Sequence, residues 1–163
     1  MTSAQQLIKL LNISEANNFD ANIVLLDDLD FSDSALTLPF GMISQTDYVS
    51  YTGTFEGNGH TIKNLVMDNT ENDDIPFAGL FFGIGDATVQ DLVIDSSCSF
   101  AGIYAGTLGT ILTGSLTLTN VMNKATVYVS NEAGGFVVVG MGSLHQVNQV
   151  TIKSMMMQDC FVA

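Results

Sequence analysis

A strand-like run recurs four times along this chain, and the repetition constrains the fold more than any other feature of the sequence. The runs begin at Thr61, Thr88, Thr117 and Thr151, at intervals of roughly 30 residues. Each run opens with alternating apolar and polar residues, which is typical of a β-strand with one buried face. A second short apolar step precedes each run and begins with a glycine: Gly53, Gly79, Gly106 and Gly135.

Units of this size must stack, because two or three short strands cannot close a hydrophobic core alone. No helical pattern lies between the units, which argues against βαβ crossovers. The sequence therefore predicts an all-β fold, a right-handed parallel β-helix (β-solenoid) of about four to five coils. It is expected to be one domain, 1–163, with a capping helix over 1–16, a first coil and connector over 19–50, and four repeats over 51–163.

The capping helix is predicted from the first residues of the sequence. Ser3 can cap the helix, and Leu7, Leu10 and Leu11 fall on one of its faces. The triplet that begins at Asn12 is a glycosylation sequon at the end of this helix. These first residues do not have the basic and apolar regions of a signal peptide.

Stacking of the aligned runs predicts ladders of similar side chains. The second position of each run forms one interior ladder: Ile62, Val89, Leu118 and Ile152. The fifth position forms another: Leu65, Leu92, Val121 and Met155. The polar position between them is occupied by residues that bond to neighbouring backbone at bends: Asn64, Asp91, Asn120 and Ser154. We interpret this third row as a turn ladder rather than as a row of ligand-binding groups.

The charge of the chain disfavours several classes of partner. There are 17 acidic residues, four lysines and no arginine, and the net charge is -13. Nucleic acids and anionic membrane surfaces are bound mainly through Lys and Arg, so neither is an expected partner. The uncharged stretch 96–123 is crowded with Gly, Ser, Thr and Asn, so we predict no membrane span.

The sequence resembles the GLUG-motif domain, a repeat module of bacterial and protist surface proteins. The resemblance lies in the signature of Tyr51–Ile62, YTGTFEGNGHTI, in the step Gly79–Gly83, GLFFG, and in the acidic segment Asp28–Ser32. It follows the order of the family along almost the whole chain, although Leu38 stands where the family commonly has tryptophan. The resemblance implies a parallel β-helix in an extracellular or cell-surface protein, and it supplies no catalytic residues.

We therefore predict a non-enzymatic structural or adhesive module without a cofactor, which acts through its exposed faces and an open C-terminal edge. That edge is expected at Met156, Phe161 and Val162, where no capping element follows the last strand. Its partner would be a flanking domain or a second copy, including end-to-end self-assembly.

The alternative function is a carbohydrate-binding or glycoside-hydrolysing β-helix. A hydrolase needs two carboxylates that converge on one cleft. The adjacent pairs Asp27-Asp28 and Asp73-Asp74 are candidates, but adjacent acids in turns are usually solvated. A glycan therefore stays an alternative partner.

Three further features are interpreted without a catalytic role. His60 is expected to face solvent or bond to a turn, because no HExxH or paired-cysteine spacing accompanies it. Cys98 and Cys160 are predicted to be free thiols, because a whole repeat separates their coils. Weak calcium binding by the acids of 20–33 is left open, since their spacing is not that of a calcium loop.

Overall fold

The computed structural model of the chain describes residues 1–11, 18–134, 137–140, 143–147, 151–152 and 156–157, and the side chains of 1–11 and 19–129. An α-helix, α1 (Ala4–Leu11), and a 3-10 helix (Asn18–Asp20) precede the strands. The strands are β1 (Ile23–Val24), β2 (Leu29–Asp30), β3 (Ser50–Tyr51), β4 (Thr54–Glu56), β5 (Thr61–Lys63), β6 (Val66–Asp68), β7 (Phe77–Ala78), β8 (Phe81–Ile84), β9 (Ala87–Ile94), β10 (Ser99–Gly106), β11 (Gly109–Leu112), β12 (Ser115–Asn123), β13 (Thr126–Gly134), β14 (Val137–Gly140), β15 (Ser143–Val147), β16 (Thr151–Ile152) and β17 (Met156–Met157).

Within the described residues, these strands form three sheets of parallel strands. The first sheet has the order β1, β4, β9, β12, β15, with β2 and β5 continuing to β9 and with β16 beside β12. The second has the order β6, β10, β13, β17, with β7 also beside β10, and the third has the order β3, β8, β11, β14. The chain passes through the three sheets in turn and then repeats the circuit, which confirms the predicted β-solenoid, here with about four coils. The first coil contributes strands only to the first and third sheets.

We number the coils along the chain. Coil 1 contains β1–β3, coil 2 contains β4–β8, coil 3 contains β9–β11 and coil 4 contains β12–β14, while β15–β17 continue beyond it. In coil 1 the connector 31–49 takes the place of a strand in the second sheet. Coil 2 has a comparable interruption at 69–76, between β6 and β7.

The helix α1 covers the first coil, as predicted. The backbone N–H of Gln6 donates to Ser3 Oγ at 3.3 Å, which satisfies one donor of the first helical turn. Leu7 and Leu11 are buried in the same hydrophobic cluster as the solenoid interior. The described part of the helix extends to Leu11, and Asn12 lies outside the described residues. No described helix has the length and hydropathy of a membrane span.

The middle of the first sheet confirms part of the predicted interior ladders. Leu118 lies opposite Val89, and Val121 lies opposite Leu92, and all four side chains are buried. Asp91 has a positive φ of 49° inside β9, and the bend there makes Leu92 face inward three residues after Val89. Each run therefore contributes two interior side chains on either side of one bend.

The predicted register is wrong for the first and the last run. Ile62 lies opposite Ile94 rather than opposite Val89, whose partner in coil 2 is Phe55. Leu65 is buried at the following corner, where its carbonyl accepts from the N–H of Ser99. The run that begins at Thr61 thus lies at a later corner of coil 2 than the corner at which the Thr88 run lies in coil 3. The two corners share one local pattern, an apolar residue, a polar residue, a bend and another apolar residue.

The last run shows the same displacement. Ile152 lies opposite Asn123 rather than opposite Leu118, whose partner there is Gln146. Met155 and Ser154 lie outside the described residues. Of the predicted assembly edge, Met156 lies opposite Tyr128 in β13, and Phe161 and Val162 also lie outside the described part.

Cys98 is a buried, free thiol at the corner between the first two sheets. Its Sγ donates to the carbonyl of Ile62 at 3.4 Å. Burial raises the pKa of the Cys98 thiol to about 11. Cys160 lies outside the described residues, so the prediction of a free thiol is confirmed for Cys98 and stays a prediction for Cys160.

Candidate functional site

The glycine-rich part of the signature, 57–60, is a corner between β4 and β5 that is bonded to the coils on both sides. The N–H of Gly57 donates to the carbonyl of Gln90, and the N–H of Gly59 donates to the carbonyl of Asp91, both at 2.8 Å. On the opposite side, Asn58 Nδ2 lies 3.4 Å from the carbonyl oxygen of Leu25. The corner therefore links coil 2 to coil 3 and to coil 1.

The two glycines of this corner are required for different reasons. Gly59 has a φ of +79°, in the left-handed region, and a Cβ added there would meet no atom within 4 Å. A Cβ on Gly57 would lie 2.4 Å from the carbonyl oxygen of Asp91 and 2.6 Å from Leu92 Cα. Gly59 thus serves the turn, whereas Gly57 permits the close approach of coil 3.

His60 has a defined partner at this corner, the carboxylate of Asp28 in coil 1. Its Nδ1 lies 3.6 Å from Asp28 Oδ1, and Lys63 Nζ lies 3.4 Å from Asp28 Oδ2. The N–H of Thr61 donates to Asp28 Oδ1 at 3.0 Å. This backbone bond is the largest cause that lowers the pKa of Asp28. Burial opposes it, and Lys63 lowers the pKa further. One acidic side chain of coil 1 thereby receives three groups of coil 2.

Glu56 and Gln90 make a similar connection on the outer side of the first sheet. Gln90 Nε2 donates to Glu56 Oε2, and the other carboxylate oxygen accepts from the N–H of Asn58 at 2.7 Å. Both oxygens of the Glu56 carboxylate therefore accept hydrogen bonds from residues of the solenoid itself.

Three residues of the predicted turn ladder lie in the described part of the chain and do form bends, but they belong to two ladders, while Ser154 lies outside that part. Asn64, Asp91 and Asn120 all have positive φ, at 59°, 49° and 51°. Asn120 Nδ2 donates to Asp91 Oδ1 at 2.6 Å, so these two residues stack at the bend within the first sheet. Asn64 lies at the next corner and donates to Asp30 Oδ1 at 2.8 Å. This bond is the largest contribution to the lowered pKa of Asp30.

A second candidate site is a side groove of about 380 Å³ between the two interruptions of the coils. Sequence reasoning missed it, because its two walls are distant along the chain. Apolar side chains line most of it: Leu38, Met42, Ile43 and Ile75. Polar residues complete the lining: Ser44, Gln45, Thr46 and Asp74.

Hydrogen bonds hold the two walls of the side groove together. Gln45 Nε2 lies 3.1 Å from the carbonyl oxygen of Asp73 and 3.0 Å from that of Asp74. The buried amide of Asn69 donates to the carbonyls of Phe77 at 2.7 Å and Thr37 at 3.2 Å. The connector and the 69–76 loop are thus joined directly to each other.

Aromatic packing supports the same flank of the solenoid. Phe82 is fully buried, and the rings of Tyr48 and Phe77 pack against it with centroids 4.9 and 4.8 Å away. Phe77 also stacks on Tyr104 at 5.4 Å. This cluster attaches the connector and the end of the loop to coils 2 and 3.

The two acidic pairs that are candidates for glycoside hydrolysis make contacts within the solenoid instead. Asp28 is bonded to coil 2 as described, and Asp27 Oδ1 accepts from the N–H of Asp28 at 2.9 Å. The backbone carbonyls of Asp73 and Asp74 hold Gln45. Among the described residues, no group of three or more His, Cys, Asp or Glu side chains is arranged to hold a metal ion.

The fold and its corners define the class of this protein, a parallel β-solenoid repeat protein. Among known proteins, the sequence is similar to halomucin of Haloquadratum walsbyi (strain DSM 16790 / HBSQ001), with 34% identity over 92 residues. The aligned region covers 56% of this chain and 1% of halomucin, so the chain spans only a small part of that protein. No protein-family model matches the sequence. No solved structure matches it.

Proposed function

We propose that this chain is a non-enzymatic structural module of a cell-surface or extracellular protein, in which the stacked coils separate neighbouring parts of that protein and the outer faces make adhesive contacts. One observation carries the proposal. The polar residues of the signature and of the bends bond one coil to the next, as Asp28 does with Thr61 and as Asn120 does with Asp91. Polar side chains that bond one coil to the next stabilise the stack of coils.

Two likenesses support the extracellular setting. The signature resembles that of GLUG-motif surface modules, and the similarity to halomucin concerns a protein whose name describes it as a mucin. We propose on these grounds that the chain is a GLUG-type module.

Hydrogen exchange measured by mass spectrometry tests the structural role. A spacer must resist local opening, so the amides of β9, β10 and β12 are expected to exchange only through global unfolding and to share one free energy of opening. Independent opening of single coils at a much lower free energy would contradict the proposal.

A glycan-binding screen combined with a reducing-sugar assay tests the non-enzymatic role. We expect no release of reducing sugar. Release that is abolished by changing one acidic residue would establish the hydrolase alternative, and glycan binding without turnover would establish a lectin-like role instead.

A further inference from the structure

The side groove has an accessible apolar floor that the solenoid core does not use. Ile43 is 65% exposed and Leu38 is 38% exposed, although both line the same groove. Met42 and Ile75 are half-buried beside them. Aliphatic side chains that converge on a concave surface favour an apolar group of a partner, because its burial removes both surfaces from water.

Acidic residues are concentrated in the two segments that form the walls of the side groove. The connector 31–49 and the loop 69–76 contain five acidic residues and no lysine or arginine. Asp74 itself lines the groove. Each of these carboxylates is on an exposed residue: Asp33, Asp47, Glu71, Asp73 and Asp74. An occupant with positive charges around its apolar group is therefore complementary to the groove.

The side groove is preformed. Gln45 bonds to both aspartate carbonyls across it. The hairpin of the connector is closed by the bond from the N–H of Val49 to the carbonyl of Gly41, at 2.9 Å. A partner therefore does not have to order these segments on binding, which reduces the entropic cost of association.

We propose that the side groove binds a segment of another protein that carries an aliphatic side chain flanked by lysine or arginine. A second copy of this chain is a poor occupant, since two molecules of net charge -13 repel each other and each has four lysines. The inference deepens the adhesive part of the proposed function, because it assigns a partner class to one outer face. Its failure would leave the structural role, which hydrogen exchange tests separately.

A pair of short peptides tests the inference. One is a capped peptide of alternating lysine and leucine, and the other has glutamate in place of lysine. Affinity is measured by isothermal titration calorimetry at low and at high salt. The lysine peptide is expected to bind, more weakly at high salt, and the glutamate peptide is not.

Two matched variants place the binding site. Ile43→Ser removes an aliphatic side chain from the groove, and we expect affinity for the lysine peptide to fall about ten- to hundredfold. Leu26→Ser is the control, because Leu26 is 63% exposed and belongs to the first sheet's corner between β1 and β2. It should leave affinity unchanged. Circular dichroism of both variants confirms that each remains folded.

Several outcomes would overturn the inference. Equal binding by wild type and Ile43→Ser would indicate non-specific attraction to an acidic surface. Equal binding of the two peptides would exclude the role of charge, and no binding of the lysine peptide would exclude the occupant class. Self-association of the wild type in sedimentation experiments, if lost in Ile43→Ser, would identify a second copy as the occupant instead.

Discussion

Replacement of Gly57 and of Gly59 by alanine is expected to have unequal effects on stability, although both glycines lie in the same turn. At Gly59 the added methyl group meets nothing within 4 Å, so the cost is that of a left-handed alanine, about 1–2 kcal/mol. At Gly57 the methyl group would lie 2.4 Å from the carbonyl oxygen of Asp91, which is backbone and cannot rotate away. The adjacent coils must separate there.

The cost at Gly57 is the larger because several contacts are lost together. Separation of the coils weakens the bond between the N–H of Gly57 and the carbonyl of Gln90, now 2.8 Å long. Overpacking costs about 1–3 kcal/mol, and a buried group left without its hydrogen bond costs a similar amount. We therefore expect Gly57→Ala to lower the free energy of unfolding by about 3–5 kcal/mol.

Urea unfolding followed by far-UV circular dichroism measures both variants against the wild type. In a chain of this size, these costs correspond to a fall in Tm of about 6–20 °C for Gly57→Ala and about 2–8 °C for Gly59→Ala. Equal stability of Gly57→Ala and Gly59→Ala would show that the close approach of coil 3 does not constrain Gly57.

Three further predictions concern the bends and the titrating groups. Asn120→Ala should be less stable than Asn120→Gly by about 1–2 kcal/mol, because both lose the bond to Asp91 but only alanine is strained at positive φ; equal urea midpoints would contradict this. The pKa of Asp28 is lowered in the folded state, so its contribution to stability is present above its usual pKa of about 3.9 and is lost as pH falls through the lower folded value. Unfolding free energies measured from pH 5 downward should therefore decline less steeply in Asp28→Asn, and parallel curves would show that the carboxylate is not coupled to folding. Cys98 should react with a thiol reagent far more slowly in the native protein than in denaturant at pH 8, because it is buried and its pKa is raised to about 11; peptide mapping by mass spectrometry identifies the modified residue, and rapid native labelling would contradict the prediction.

The sequence predicted the bends more accurately than it predicted their partners. Asn64, Asp91 and Asn120 were assigned to turns from their side-chain chemistry, and all three have positive φ. Asparagine and aspartate tolerate the left-handed region better than most residues, so this assignment depends only on local properties of the chain. The stacking of Asn64 on Asp30 instead of Asp91 depends on the register between coils.

Comparison of the runs predicted the wrong register between strands, because two corners of one coil have the same local pattern. Thr61 lies opposite Val93, whereas Thr88 lies opposite Thr54 and Thr117. Similarity between runs can therefore reflect similar bends at different places in the coil. The corner at 57–60 contains two more residues than the corresponding corner at 91–92, and this difference displaces the next strand along the sequence.

The sequence by itself determined a stack of short parallel strands, since repeated alternation without helices leaves units that cannot bury a core alone. It also determined that the signature glycines and the asparagine bends are turns. Only the tertiary structure decided which coil each turn contacts, that His60 faces Asp28, and that the walls of the side groove meet at Gln45. The physical reason is that turn propensity is a property of a few consecutive residues, whereas these contacts join residues about 30 positions apart that coil stacking brings together.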